Sequence, residues 1–296
     1  MFVNESNQSI REEPTVRESS NPVFRSLPKG QGGYAQFGTG AAGYGAQAVQ
    51  ADPYITQYPE QRQAGVARPL TIDDVVTKTG ITLAVLAAVA AGTYFVVAQN
   101  LALAMPLWLV GMLGGLAMVL VATFGRKQDN PGIVLAYAVF EGLFLGAFSY
   151  IVANWMVQGV SAGSLISQAI LGTFGVFFGM LVVYKTGAIR VTPKFTRFLV
   201  AALFGVVVLA LGNLVASFFM DGLGPLRDGG PFAYLFSILC IGIAAFSFLL
   251  DFDQADQAIR AGAPEKAAWG IALGLTVTLV WLYTEILWLL SMFNSD

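Results

Sequence analysis

Val280-Trp-Leu-Tyr-Thr-Glu285-Ile-Leu-Trp-Leu-Leu290 lies in the second of two long apolar runs near the end of the chain. The first run, Pro231–Leu250, leads into Leu250-Asp-Phe-Asp, with Asp251 and Asp253. The second, Trp269–Phe293, carries one acid, Glu285. At 1.5 Å per residue each run can cross a hydrocarbon core of about 30 Å. An acid in so apolar a run is costly unless it is hydrated, paired or protonated. The pattern predicts a membrane bundle organised around such acids.

Composition agrees with this. The chain has 296 residues, 56% hydrophobic and 11% charged, against about 25% charged in soluble domains. The fold class expected is all-α: a polytopic membrane protein with seven transmembrane helices. There is no His, which removes the commonest general base, metal ligand and near-neutral pH switch. One Cys, Cys240, sits inside an apolar run, so it can form no intrachain disulfide and no Cys-based metal site. It reads as a small apolar residue. No cofactor and no nucleic-acid partner is expected; the lipid bilayer is the first partner.

Residues 1–70 are rich in Gly, Gln, Ser, Tyr and Pro and show neither helical nor strand period. They read as a disordered cytoplasmic tail. With no apolar segment near the start, they do not read as a signal peptide. Order is expected from Thr71, an N-cap with Asp73 and Asp74 in the first turn. Residues 71–296 form the membrane domain. Its apolar runs are Val75–Ala98, Ala104–Phe124, Ile133–Val157, Leu165–Tyr184, Phe195–Met220, Phe232–Leu250 and Trp269–Phe293. The connections are short, and none can hold a soluble domain.

Basic residues alternate between loops. Arg62, Arg68 and Lys78 flank the first run, Arg126 and Lys127 follow the second, Lys185, Arg190, Lys194 and Arg197 surround the fourth-to-fifth turn, and Arg260 and Lys266 precede the seventh. The loops on the other side carry Arg227 alone. The expectation is a cytoplasmic-membrane protein with its N-terminus cytoplasmic and its C-terminus outside. Glycines at four-residue spacing, at 111/115, 142/146, 175/179 and 270/274, allow close helix approach.

The acids sort by depth. Glu141 is about ten residues into the third run, roughly 15 Å from the cytoplasmic edge. Glu285 has no basic residue near it in sequence. Asp251 and Asp253 end the sixth run, with Asp256 one turn on; the simplest reading of these three is a solvated helix end. The simplest reading of Glu141 or Glu285 is an acid kept neutral by a backbone hydrogen bond. No Lys or Arg falls deep inside a run, so an internal ion pair is not expected. The acids would then share protons, be hydrated, or bind a cation; two carboxyls in one site can titrate near neutral pH without His. Oxygen ligands suit Ca²⁺ better than Zn²⁺ or copper.

The segments Thr71-Ile-Asp-Asp-Val-Val, Ala136-Tyr-Ala-Val-Phe-Glu-Gly-Leu-Phe-Leu-Gly, Ile189-Arg-Val-Thr-Pro-Lys-Phe-Thr-Arg-Phe, Leu250-Asp-Phe-Asp, Ile259-Arg-Ala-Gly-Ala-Pro and Leu282-Tyr-Thr-Glu-Ile-Leu carry a resemblance. The chain resembles the Bax inhibitor-1 family in its bacterial membrane-protein branch, from residue 19 to the C-terminus. The resemblance implies seven helices with the seventh central, and a pH-sensitive Ca²⁺ leak. It also implies a sensor pair on helices six and seven, which matches Asp253, after Phe252, and Glu285, within Leu-Tyr-x-acid. Here the seventh-helix acid is Glu where the family usually has Asp.

The spacing sets a condition on that pair. If the hairpin turns near Gly262–Pro264, Asp253 lies opposite Leu273, and Glu285 is roughly 18 Å further along. The pair meets if helix six runs past Arg260 or helix seven starts well below the membrane. Glu141 otherwise competes for Glu285. The function expected is a pH-sensitive cation leak, with Ca²⁺ as the ion, gated by buried carboxyls: Asp253 and Glu285 as sensor, held shut by a shared proton at low pH, with Asp251 and Glu141 along the ion path. The alternative is a non-transporting regulator that binds a membrane protease or another membrane complex, with the tail as its handle. No enzymatic activity is expected.

Overall fold

The computed structural model describes residues 68–156, 161–220 and 222–294. All belong to one compact unit, Arg62–Asp296. The tail expected over residues 1–70 lies outside the described residues except for its last three. Among the described residues, seven helices are long and apolar enough to cross a membrane. They are α1 (Ile72–Gln99), α2 (Ala104–Phe124), α3 (Pro131–Ile151), α4 (Ala162–Thr186), α5 (Pro193–Ser217), α6 (Pro231–Arg260) and α7 (Ala267–Phe293). This is the expected all-α membrane bundle.

The helix starts follow local chemistry. Thr71 caps α1: its Oγ1 accepts from Asp74 N, and the Asp74 carboxylate accepts from Thr71 N at 2.9 Å. Asn130, Ser161 and Thr192 cap α3, α4 and α5 through their side chains, and Pro opens α3, α5 and α6. Gly187, with φ of 68°, stops α4 in the left-handed region. The expected sixth run ends at Leu250, but α6 continues ten residues to Arg260. Asp-Phe-Asp-Gln-Ala-Asp-Gln-Ala-Ile-Arg is polar, so it leaves the apolar run without leaving the helix. A π-helical turn, Val152–Met156, extends α3.

The helix ends near Lys127, Lys185, Arg190, Arg260 and Lys266 define a basic end of the bundle. The other end carries the α1–α2 and α5–α6 connections and the end of α7. The central element is α7, which packs on α1, α3, α4 and α6 and buries residues around its whole circumference. In contrast, α5 packs mainly on α6 and buries just Leu199 and Val206 among its residues.

Small residues set the tightest contacts. A Cβ on Gly111 would fall 2.7 Å from Phe140 O of α3, and one on Gly142 would fall 2.8 Å from Leu86 O of α1. The backbones of α2, α3 and α1 therefore approach as the glycine spacing predicts. The pair at 175/179 does not serve this purpose: both glycines of α4 face open space. Cys240 is buried among Leu199, Val206 and Phe236, as its apolar reading requires.

Candidate functional site: carboxylates along the central helix

Antiparallel packing puts α6 beside α7, and one contact fixes their register. Thr278 Oγ1 donates to Asp251 Oδ2 at 2.8 Å. One turn earlier on α7, a Cβ on Gly274 would lie 3.8 Å from Asp251 Oδ1, so the glycine leaves the carboxylate its space. Asp251 is thus an acid bonded to a hydroxyl of the central helix, just past the apolar run of α6. It sits about nine residues, or roughly 14 Å, in from the basic end of α6.

Glu285 stands seven residues beyond Thr278, roughly 10 Å further along α7. Its partner is Arg227. Arg227 Nη2 donates to Oε1 at 2.5 Å and Nη1 to Oε2 at 3.0 Å, a bidentate pair. The Glu285 side chain is 5% exposed and that of Arg227 26%. The guanidinium also lies 5.3 Å from the Phe236 ring and 5.6 Å from the Trp288 ring, so two aromatic faces line the cation.

The α5–α6 loop is built to deliver this arginine. Asn213, on α5, accepts from Leu226 N at 2.8 Å and donates to Leu223 O at 2.9 Å. Gly224, at φ of 82°, passes so close that a Cβ would meet Asn213 O at 2.8 Å. Arg227 N then donates to Gly224 O at 2.9 Å, and Leu226 packs against the cluster around Phe236 and Cys240. The turn is anchored on both sides, and its next residue points into the bundle.

This corrects the expected sensor geometry. Asp253 and Glu285 do not meet, because α6 ends at Arg260 and Gly262, at φ of 64°, turns the hairpin there. From the Asp251–Thr278 register, Asp253 lies nine residues of α7, roughly 13 Å, from the level of Glu285. Asp253 instead accepts from Gln257 Nε2 at 2.6 Å. With Asp256, Tyr184, Arg190 and Arg260 it lines a polar cavity of about 310 Å³ at the basic end. Asp256 pairs there with Arg260 at 2.7 Å.

Glu141 does not compete for Glu285 either. Its carboxylate lies at the α2–α3 contact, where a Cβ on Gly115 would meet Oε1 at 2.5 Å. The buried Tyr137 phenol is its neighbour. The four acids singled out from sequence therefore occupy four separate places. The expectation that no base pairs inside the bundle is also overturned: Arg227 enters from a loop. Its signal was visible as the one basic residue on the weakly charged side, set among glycines.

Fold and site together define a multi-pass helical membrane protein whose central helix carries an ion-paired carboxylate. The family model described as Bax inhibitor 1 like matches residues 21–295, and the chain belongs to this family. Over 130 residues it is 30% identical to an uncharacterized protein of Chlamydia muridarum (strain MoPn / Nigg). That match covers 44% of this chain and 47% of the relative, about half its length.

Proposed function

We propose that the protein is a cation leak of the cytoplasmic membrane, with Ca²⁺ as the ion, in which Arg227 and Glu285 form the closure. The observation that carries this reading is the bidentate pair itself. A charged pair within the apolar span of α7 adds little to stability that well-packed apolar residues could not supply. As a closure it has a use: the cation of the loop occupies the carboxylate that a passing cation needs. Asp251, bonded to Thr278 and to no basic side chain among the described residues, lies between the basic end and Glu285 along α7. The uneven Lys and Arg placement supports a cytoplasmic basic end.

In this arrangement the Arg227 guanidinium occupies the Glu285 carboxylate, and separating the two opens the path. The test is Ca²⁺ flux into liposomes holding the purified protein alone. Glu285→Gln and Arg227→Gln are expected to raise flux at neutral pH. Unchanged flux in both variants would remove the pair from gating. Silence in the wild type and both variants would favour the regulator.

The regulator reading has one observation of its own. The chain entering α1 is joined to the α6–α7 connection: Leu70 N donates to Ala263 O at 2.8 Å and Glu265 N to Arg68 O at 2.9 Å. A partner holding the tail would pull on that hairpin. Orientation has a separate check. In a Cys240→Ala background, Ser295→Cys should react with an impermeant thiol reagent in whole cells, and protection there would invert the topology.

A further inference from the structure

Away from the acids, a cavity of about 440 Å³ lies between α1 and α4. Its floor is Leu145 and Gly146 of α3 with Leu279 and Val280 of α7. Along α1 it extends from Leu83 to Phe95, roughly 18 Å. That length accommodates an extended alkyl chain. The wall is open sideways, since Ala87, Ala91 and Ile170 line it and are exposed. In a bilayer that side faces lipid tails.

The groove has polarity. Its deep end, near Leu83, Phe174 and Leu279, is apolar and lies mid-span. Its other end, toward the non-basic surface, carries hydroxyls. Ser149 Oγ and Tyr283 Oη are 2.7 Å apart, so one donates and the other keeps a proton to give. Tyr94 Oη accepts from Asn154 Nδ2 at 3.3 Å and likewise has its own proton to offer. Tyr94 is five residues from the end of α1, roughly 7 Å below it.

We propose that this groove holds one acyl chain of a phospholipid drawn from the leaflet at the non-basic end. The tail fills the apolar length between α1 and α4, and the ester oxygens accept from the hydroxyls at the Tyr94 end. The occupant is an amphiphile because the groove is one: an apolar slot, closed by α7 at its base and bearing hydroxyl donors at one end.

The full-length protein is reconstituted in phosphatidylcholine vesicles doped with one of two photoactivatable phosphatidylcholines. One carries its diazirine at the acyl terminus and the other close to the ester. After irradiation, peptide mass spectrometry should place terminal-probe adducts near Leu83 and Phe174, and ester-probe adducts near Tyr94 and Asn154. Ala91→Trp, which fills the open wall, should lose most of both sets. Val208→Trp, on an exposed face of α5, should keep them. Thermal midpoints compare the folding of the variants, and Ala87→Phe replaces Ala91→Trp if that variant does not fold. Adducts spread over α5 as densely as over the groove, the reversed depth pattern, or full labelling of the filled variant would each overturn the proposal.

Discussion

Two arginines reach carboxylates at 2.5 Å, one at each end of the bundle, and the contacts are not equivalent. At the basic end Arg68 bonds Asp74, with Glu265 at 3.6 Å and Lys78 on the far side of Glu265 at 3.6 Å. The negative charge of Asp74, then its hydrogen bond, push the Arg68 pKa above its ordinary value. Yet the Arg68 side chain is 57% exposed, so water and salt compete for it, and the buried Asp74 carboxylate keeps Thr71 N and Oγ1 as donors when Arg68 leaves. At the other end Glu285 is out of water, and Arg227 is its neutralising charge. Equal distance carries unequal weight, because removing one partner in a buried pair leaves a charge that nothing else solvates.

The largest effect should come from breaking the inner pair. Arg227→Ala strands the Glu285 carboxylate and should cost about 3 kcal/mol, toward the lower side of buried pairs because Arg227 is a quarter exposed. Unfolding in mixed micelles measures this. The double variant Arg227→Met, Glu285→Leu should recover most of that loss, since the cost comes from the unpaired charge. A double variant as unstable as Arg227→Ala would mean that the pair itself holds the loop in place.

At the basic end the order of importance is reversed, with the apolar side chain ahead of the charges. Leu70 is 3% exposed and packs with Val75, Phe248 and Leu275. Leu70→Ala should cost about 2 kcal/mol by the same unfolding measurement. Deleting residues 1–65 leaves this anchor, and deleting 1–70 removes it. The first deletion is expected to keep the thermal midpoint and the second to lower it. Equal midpoints for the two would show that the anchor adds nothing.

The smallest effect is expected for Arg68→Ala, a shift in thermal midpoint of at most about 2 °C, and less again in high salt. A drop as large as that of Arg227→Ala would erase the contrast between the two ends.

Much of this protein was legible without coordinates. Seven apolar runs predicted seven helices because a bilayer demands length and apolarity from each span and satisfies no exposed backbone. Thr71, followed by Asp73 and Asp74, predicted the start of α1 because capping is local chemistry. Glu285 stood out because an acid in an apolar run is costly wherever the run packs. The polar end of α6 was missed, since hydropathy marks where a helix leaves lipid, not where it stops.

The tertiary structure alone decided the partners. Sequence distance does not reveal the contact of Arg227 with Glu285, 58 positions on, which α6 and the hairpin create by folding the chain back on itself. The family's pairing pattern pointed from Glu285 to Asp253, but register is set by where the hairpin turns, and Gly262 turns it too early for the two to meet. Glu141 lies at a depth similar to Asp251 but points to α2, because which face a helix shows its neighbour depends on packing around it. Residue types and spacing determine which groups are costly to bury. Which cation, hydroxyl or neighbour relieves that cost depends on rotation and register, quantities that emerge only when all seven helices pack.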